Sequence, residues 1–413
     1  MYTPADVAED ATDTAASAAV TAADATTTRA DAVTTETAVA AAINMKTAVV
    51  ILNWNTEGFL KEFLPGLLRT VKDVDGAEVI VADNASTDGS MTVMKELFPE
   101  VRTIVLDRNY GFTGGYNKAF EQIDSDLFVL INSDIEVTDG WLQPLVDWMS
   151  AHPECGACAP KLHSWMERDK FEYAGAAGGY IDRYGYPFCR GRILKKLETD
   201  KGQYDQPEDV MWATGACLMV RSEVFRELGG LDERFFAHME EIDLCWRMQL
   251  EGWKVTVVPS SVVYHVGGGT LPATSPFKLF LNYRNNLLML GNNLAKTFAL
   301  MFHKRGFSAE RAAAKGNHKA VRRIIARESL DVLSAVVYLV TLKTDCFKAV
   351  YNAHKEYRKM VTEPDVKEIV EYLENRKEDT SVKGFYKKSI ILESLKKGKR
   401  IFCSIRKCRF YNI

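Results

Sequence analysis

TAVVIL at residues 47–52, AEVIVAD at 77–83 and DLFVLI at 126–131 are short, nearly continuous apolar runs rich in β-branched residues. Runs of that length and composition read as strands buried on both faces of a sheet. Between them FLKEFLPGLLRTV carries a helical apolar spacing, and Asp88 of NASTDGS is placed to cap a helix beginning near Ser90. VRTIVL (101–106) repeats the strand pattern and GYNKAFEQI the helical one. Strand and helix in alternation predict a doubly wound, mostly parallel α/β sheet.

Such sheets hold their ligands at the carboxyl ends of the strands, and the polar clusters of this chain fall there. Asn53 and Asn55 follow the first strand, Asp83 and Asn84 the second, Asn109, Gly115 and Asn117 the third, and Asn132 and Ser133 the fourth. These nine are the candidate donor-binding residues. Asp83 offers a carboxylate to a base or ribose. The run Gly111 to Gly115 lacks the dinucleotide-binding spacing and follows the third strand, so it reads instead as backbone close to a helix N-terminus, suited to a diphosphate.

Asp134, where the fourth strand emerges, is a candidate ligand for Mg2+ or Mn2+, cations that prefer oxygen and bridge phosphates. An Asn-Ser-Asp sequence is equally good turn chemistry. Glu240, Glu241 and Asp243 follow the aromatic pair Phe235-Phe236 at a predicted helix start, more acid than complementing a helix dipole requires. Any of the three could act as general base. His265 closes an extended run and precedes Gly267-Gly268-Gly269; a lone histidine is more often structural than a metal ligand.

The remaining segments bound the answer. The 413 residues, 47% hydrophobic and 26% charged, suit a globular chain, and a formal net charge of −3 gives no reason to expect nucleic acid as a partner. Eight cysteines at irregular spacing fit reduced thiols in a cytoplasmic enzyme, and Cys155 and Cys158 read as small buried residues. Residues 1–44 are an Ala/Thr-rich leader with little to bury and are expected to be disordered. Lys161 to Asp209 reads as a long loop region, WATGACLMV as a strand, and Ser222 as a helix cap. Leu330 to Leu342, about 13 residues, is too short to span a bilayer and reads as a buried or interfacial helix. From Lys343 to Ile413 there are 18 Lys and Arg against 10 Asp and Glu, interleaved with Ile401, Phe402, Phe410 and Tyr411. That tail suits either solvent or the anionic cytoplasmic leaflet.

Taken together, VVILNWN, VIVADNASTDGS, NYGFTGGYN, LINSDIEV, WATGACLMVRSEVFRELGGLDERFF, MEEIDLCWR, EGWKV and YHVGGGT resemble the family 2 glycosyltransferases, in particular their bacterial rhamnosyltransferase-like group. These blocks run from about Thr47 to Thr270 in order. The resemblance implies an A-type nucleotide-diphospho-sugar transferase fold over residues 45–275, with a helical, basic extension over 276–413. It implies an inverting, metal-dependent enzyme moving a sugar, rhamnose from a thymidine diphosphate donor being one candidate, to a glycan or lipid-linked acceptor in cell-surface polysaccharide assembly. The metal falls on Asp134 with His265, the nucleotide pocket includes Asp83 and Asn109, and the base falls on Glu241, where relatives commonly carry Glu-Asp. Trp212, Thr214 and Gly215 would line the acceptor side. Two other readings stay open: a sugar-phosphate nucleotidyltransferase, disfavoured because NWNTEG is not a basic phosphate loop, and a sugar-binding module on the same fold.

Overall fold

The structure is a computed structural model and describes residues 45–267, 275–362, 365–377, 379–395, 402, 405 and 410–413. The leader, Gly268 and Gly269, and the basic run Lys396 to Arg400 lie outside the described residues.

The alternation read from the sequence is present. The elements run β1 (Thr47–Asn53), α1 (Glu57–Val71), β2 (Ala77–Asp83), α2 (Ser90–Leu97), β3 (Arg102–Val105), α3 (Gly111–Phe120), β4 (Leu127–Ile131), β5 (Ile135–Val137), α4 (Gln143–Ala151) and β6 (Cys155–Ser164). β3, β2, β1 and β4 are neighbours in one parallel array. Alternate residues of the strands feed two cores: Ala48, Val50, Ile80 and Ala82 pack on one face, Val49, Ile51, Val79 and Val81 on the other. This is why the strands read as apolar without interruption.

The segment expected to be a loop, Lys161 to Asp209, instead builds a second, small sheet. β7 (Gly179–Asp182), β8 (Pro187–Cys189), β9 (Arg192–Ile193) and β10 (Lys196–Leu197) form a meander of strands of two to four residues. Strands so short carry too few residues for a period to show. β11 (Glu208–Asp209) and β12 (Cys217–Arg221) return to the main sheet. The extended stretch expected from Trp212 begins as a strand only at Cys217. Ser222 is the first residue of α5 (Ser222–Glu227) and makes no cap hydrogen bond. Asp88 does cap: Oδ1 accepts from Ser90 N at 3.0 Å and Oδ2 from Glu57 N at 3.0 Å, so one carboxylate serves two helix starts.

A single 3-10 turn (Glu233–Phe235) precedes α6 (Glu240–Leu250), which leads to β13 (Lys254–His265). β12 runs antiparallel between β4 and β6, and β13 lies parallel to β6. The main sheet therefore has its long strands β1, β2, β4, β6 and β13 pointing one way. It is the doubly wound, mostly parallel sheet the sequence implies.

The C-terminal part comprises α7 (Pro276–His303), α8 (Ala309–Val340), α9 (Thr344–Met360), α10 (Val366–Asn375), β14 (Phe385–Tyr386), α11 (Ile390–Leu395) and β15 (Phe410–Tyr411). α7 and α8 form a close hairpin. A Cβ on Gly316 would lie 2.5 Å from the backbone nitrogen of Ala299, so only glycine permits that approach. The extension is not purely helical, since β14 pairs with β7 and β15 with β14. Phe402 and Phe410 pack on Tyr180 and Phe188, and Ile405 and Ile413 are buried in the same core. The apolar residues of the tail that are described thus close the small sheet. The basic run that suggested a membrane contact, Lys396 to Arg400 with Arg406 and Lys407, lies outside the described residues.

Candidate active site

Asp134 stands just beyond β4, in the turn into β5. The register of β5 on β13 sets His265 opposite Ile135, and this brings a residue 131 positions away beside the carboxylate. His265 Nε2 lies 3.2 Å from Asp134 Oδ1, and Gly267 N donates to Oδ2 at 3.2 Å. On the other side of the ring, Nδ1 stands 3.4 Å from Glu172 Oε1. All three residues are buried. Burial pulls the imidazole towards neutrality, but the two carboxylates outweigh it and hold the ring up to about 10. Burial alone would raise Asp134, and the hydrogen bond and charge of His265 leave it below the usual carboxylate range.

Two buried carboxylates facing one imidazole make a place where positive charge is strongly favoured. Asp134 and His265 supply one hard oxygen and one imidazole nitrogen, and Glu172 orients the ring from behind as carboxylates do for metal-bound histidines. No group of three or more His, Cys, Asp or Glu with metal-ligand geometry occurs among the described residues. A divalent cation here would therefore share its coordination with phosphate oxygens and water. Glu172 was missed by the sequence reading because it sits in the segment read as loop, and nothing in its neighbours distinguishes it.

The acidic block resolves into three different environments. Asp243 is fully buried and spent: its carboxylate accepts from Arg247 Nε at 2.7 Å, Asn293 Nδ2 at 2.7 Å and Asn292 Nδ2 at 3.0 Å. That removes it as a base. Arg247 is likewise committed to Asp243 and to the carbonyls of Leu228 and Gly230. Glu240 is buried and Glu241 half-buried, and each keeps one buried carboxylate oxygen with no hydrogen-bond partner among the described residues. Desolvation raises both acids, Glu241 to about 7 and Glu240 well above the usual carboxylate range, with the charge of Glu241 adding to the latter. Buried, unpartnered polar atoms are rare in folded chains and mark where a ligand belongs. Gly215 lies against Glu241 and Phe112, its Cβ position 3.4 Å from Glu241 Cβ.

The backbone leading into α6 is held in an unfavourable shape. Phe236, His238 and Met239 have φ of 64°, 72° and 75°, in the left-handed region that non-glycine residues seldom enter. α7 holds them there. Asn285 Nδ2 donates to the carbonyls of Phe235, Ala237 and His238 at 2.9, 2.7 and 2.8 Å, and Arg284 reaches the carbonyl of Phe235 at 2.8 Å. His238 Nε2 is buried without a partner among the described residues, and burial lowers its imidazole to about 4. Burial raises the thiol of Cys189 and the charges of Glu172 and Glu241 both add to it, while the charge of Lys278 acts on His238.

The other sequence candidates divide by what their side chains are already doing. Asn53 Nδ2 donates to Asp83 Oδ1 at 2.9 Å, and Asp83 Oδ2 accepts from Ser86 N at 3.0 Å. Asn55, at φ 56°, accepts from Thr87 N at 2.7 Å. Asn84 accepts from Tyr110 N at 2.9 Å and donates to Gly111 O at 2.9 Å and to Asn109 Oδ1 at 3.1 Å. These residues lace the strand-end loops to one another. Asn117 clamps both backbone groups of Leu231. Gly115 is a packing glycine, since a Cβ would meet Leu52 at 2.7 Å. The start of α3 is closed as well, with Phe112 N and Thr113 N donating to Phe236 O at 2.7 and 3.3 Å. That answers the expectation of an open phosphate cradle: the loop bearing the acidic block already occupies it. Asn132 and Ser133 are half-buried beside Asp134.

On the expected acceptor side, Trp212 is core. Its ring fills the space over Gly179 and its Nε1 donates to Tyr180 O at 3.2 Å. Thr214 packs on Gly175 and accepts from Ala216 N at 3.2 Å, leaving Gly215 as the member of this trio that touches Glu241. Arg221 spends its guanidinium on the carbonyls of Met149, His152 and Cys155. Cys155 and Cys158 are buried free thiols, with burial raising Cys155 to about 11.

Comparison with known proteins shows what the chain is similar to. Residues 48–229 match the family described as Glycosyl transferase family 2. The N-acetylglucosaminyl-diphospho-decaprenol L-rhamnosyltransferase of Mycobacterium tuberculosis is 29% identical over 236 residues, covering 52% of this chain and 75% of the relative. The O-antigen biosynthesis protein RfbC of Myxococcus xanthus is 30% identical over 211 residues, 49% of this chain and 16% of that protein. Among solved structures, the mannosyltransferase PcManGT from Pyrobaculum calidifontis, in complex with GDP-Man and Mn2+, aligns over 80% of this chain and 86% of its own at 14% identity and a TM-score of 0.42.

Proposed function

Because the chain belongs to the family 2 glycosyltransferases and is rhamnosyltransferase-like, we propose that it transfers a sugar from a nucleotide diphosphate with inversion, using Glu241 as base and a divalent cation held by Asp134 and His265. The observation that supports this reading is the presence of two contrasting charge environments. In one, Asp134, His265 and Glu172 are arranged around positive charge. In the other, Glu241 keeps an unpartnered carboxylate oxygen raised by desolvation.

Glu241 deprotonates the acceptor hydroxyl, which attacks the anomeric carbon from the face opposite the nucleotide. One displacement inverts the configuration. A carboxyl whose proton affinity is raised into the neutral range is partly ionised near neutral pH, and its carboxylate is basic enough to take that proton. Mg2+ or Mn2+, when bound, stabilises the negative charge that develops on the leaving diphosphate. Asp134 and His265 would hold it, and Glu172 fixes the imidazole with Nε2 towards Asp134. Gly215, packed against Glu241 and Phe112, would line the acceptor side of the base.

The activities of the relatives narrow the substrate proposal. A deoxyhexose such as rhamnose on a thymidine diphosphate is the donor to try first, with a glycan or a lipid-linked sugar diphosphate as acceptor in polysaccharide assembly. The reading places the enzyme at the cytoplasmic face of the membrane. Glu241→Gln with Glu240→Gln as its control is the direct test. Loss of transfer in the first, with nucleotide binding retained, supports the assignment. Full transfer by Glu241→Gln removes it.

A further inference from the structure

α8 exposes an apolar stripe for which the chemistry above has no use. Val321, Ile325, Val332, Val336 and Leu339 recur at helical spacing, and each is 47–58% exposed. Near its end the stripe widens through Leu333, Val337 and Val340 into Leu342, which is 85% exposed with φ 59° in the turn that follows. Side chains of this size are normally covered, and a contiguous exposed patch marks an interaction surface. No described helix is long and apolar enough to cross a membrane, and the nine residues from 332 to 340 rise only about 14 Å, against about 30 Å of hydrocarbon.

The charge around the stripe says what it faces. Residues 309–360, which hold α8 and α9, carry eleven Lys and Arg against five Asp and Glu, in a chain whose net charge is −3. Of the eleven, Arg327 is buried against Asp331, and Lys319 and Arg323 lie over the ring of Phe298. Arg322 beside the stripe and Lys343 at its end are exposed. A second copy of the chain would have to set this positive surface against itself. An anionic lipid layer would complement it, taking the apolar stripe into the headgroup boundary while the long basic side chains stay in the polar layer.

The stripe also leads to the cleft. Tyr283 and Ser334 share a hydrogen bond of 2.6 Å, and the hairpin of α7 and α8 then sets the first turn of α7 level with Val340. Phe277 in that turn is 48% exposed and meets the ring of Phe236, the residue at which the loop into the acidic block begins, with centroids 6.5 Å apart. We propose that the stripe on α8 seats the protein on an anionic bilayer surface, with the cleft turned towards it through Phe277 and Phe236. The orientation of the cleft rests on the active site assigned above. The lipid contact does not.

The test uses the full chain and vesicles of phosphatidylglycerol and phosphatidylcholine in equal parts, with phosphatidylcholine alone as reference. The chain should co-sediment with the anionic vesicles. The combined variant Leu333→Gln, Val336→Gln, Val340→Gln and Leu342→Gln keeps helix-forming residues and should lose at least about tenfold in vesicle affinity. Its circular dichroism and its nucleotide-induced thermal shift should match those of the parent. Absence of binding to anionic vesicles by the parent overturns the proposal, and so does equal binding by the variant. A parent that is dimeric without lipid and a variant that is monomeric would assign the stripe to a second copy and equally overturn it. Loss of transfer in Glu241→Gln bears on the cleft and leaves vesicle binding unchanged, so the two readings fail separately.

Discussion

His265 Nε2 stands 3.2 Å from Asp134 Oδ1 because β13 pairs with β5 in the register His265 to Ile135. The contact joins a turn acid and a strand-end histidine, each unremarkable alone, into a unit with Glu172 behind the ring. The family model that residues 48–229 match is one of glycosyl transfer. The way the chain's own residues share that task yields four expectations.

Asp134→Ala should abolish the metal dependence of donor binding. Glu172→Gln leaves both ligands in place but releases the ring, and should weaken Mn2+ binding by about tenfold. Calorimetric titration with Mn2+ in the presence of the nucleotide diphosphate reads both effects. A metal response unchanged by Asp134→Ala would remove it as ligand.

Transfer should depend on pH through Glu241. The base works ionised, and burial raises this carboxyl to about 7. The rate per bound acceptor should therefore climb with pH through the neutral range and level off above it. Glu241→Gln should lower transfer by a factor of about 10^2 to 10^4 and remove that limb. Persistence of the limb in the variant would move the titration to Glu240.

Stability should run the other way. A carboxyl raised on folding stabilises the fold while it stays protonated, and that contribution is lost as pH rises through its folded value. Glu241→Gln, which cannot ionise, should therefore be more stable than the parent by about 2 kcal/mol near pH 8 and close to it near pH 5. Thermal melts at the two pH values decide it, and a difference independent of pH would contradict the burial of this charge.

Asn285 is a positioning residue for the loop before α6, reaching three carbonyls from another helix. Asn285→Ala leaves those carbonyls without their donor and should destabilise the protein by about 1–3 kcal/mol. At a temperature where the variant is fully folded, kcat should still fall while KM for the donor stays near that of the parent. A variant that is less stable but catalytically unchanged would limit Asn285 to a packing role.

Much of this was legible in the sequence because it is local. The buried strands announce themselves by composition, the helices by apolar spacing, and Asp88 by its place before a helix. The polar clusters fall at the carboxyl ends of the strands, as read from the sequence. Short elements were not legible: the strands of the small sheet have two to four residues, and their stability comes from partners as distant as Phe385 and Phe410. Phe410 of the tail is held by long-range aromatic contacts of the same kind.

What the sequence by itself determined, then, is the order of elements, the doubly wound sheet and the placing of Asp134 and the acidic block near its carboxyl edge. Periodicity and turn chemistry act over a few residues and can be read without neighbours. Which groups remain free to do chemistry was decided only by tertiary structure. Asp243 is consumed by Arg247, Asn292 and Asn293, while Glu241 keeps a buried oxygen unpartnered. His265 meets Asp134 through strand register, and Glu172 arrives from a segment without a recognisable pattern. Whether a carboxylate is a ligand, a base or a brace depends on what surrounds it in space, and the local sequence does not encode those surroundings.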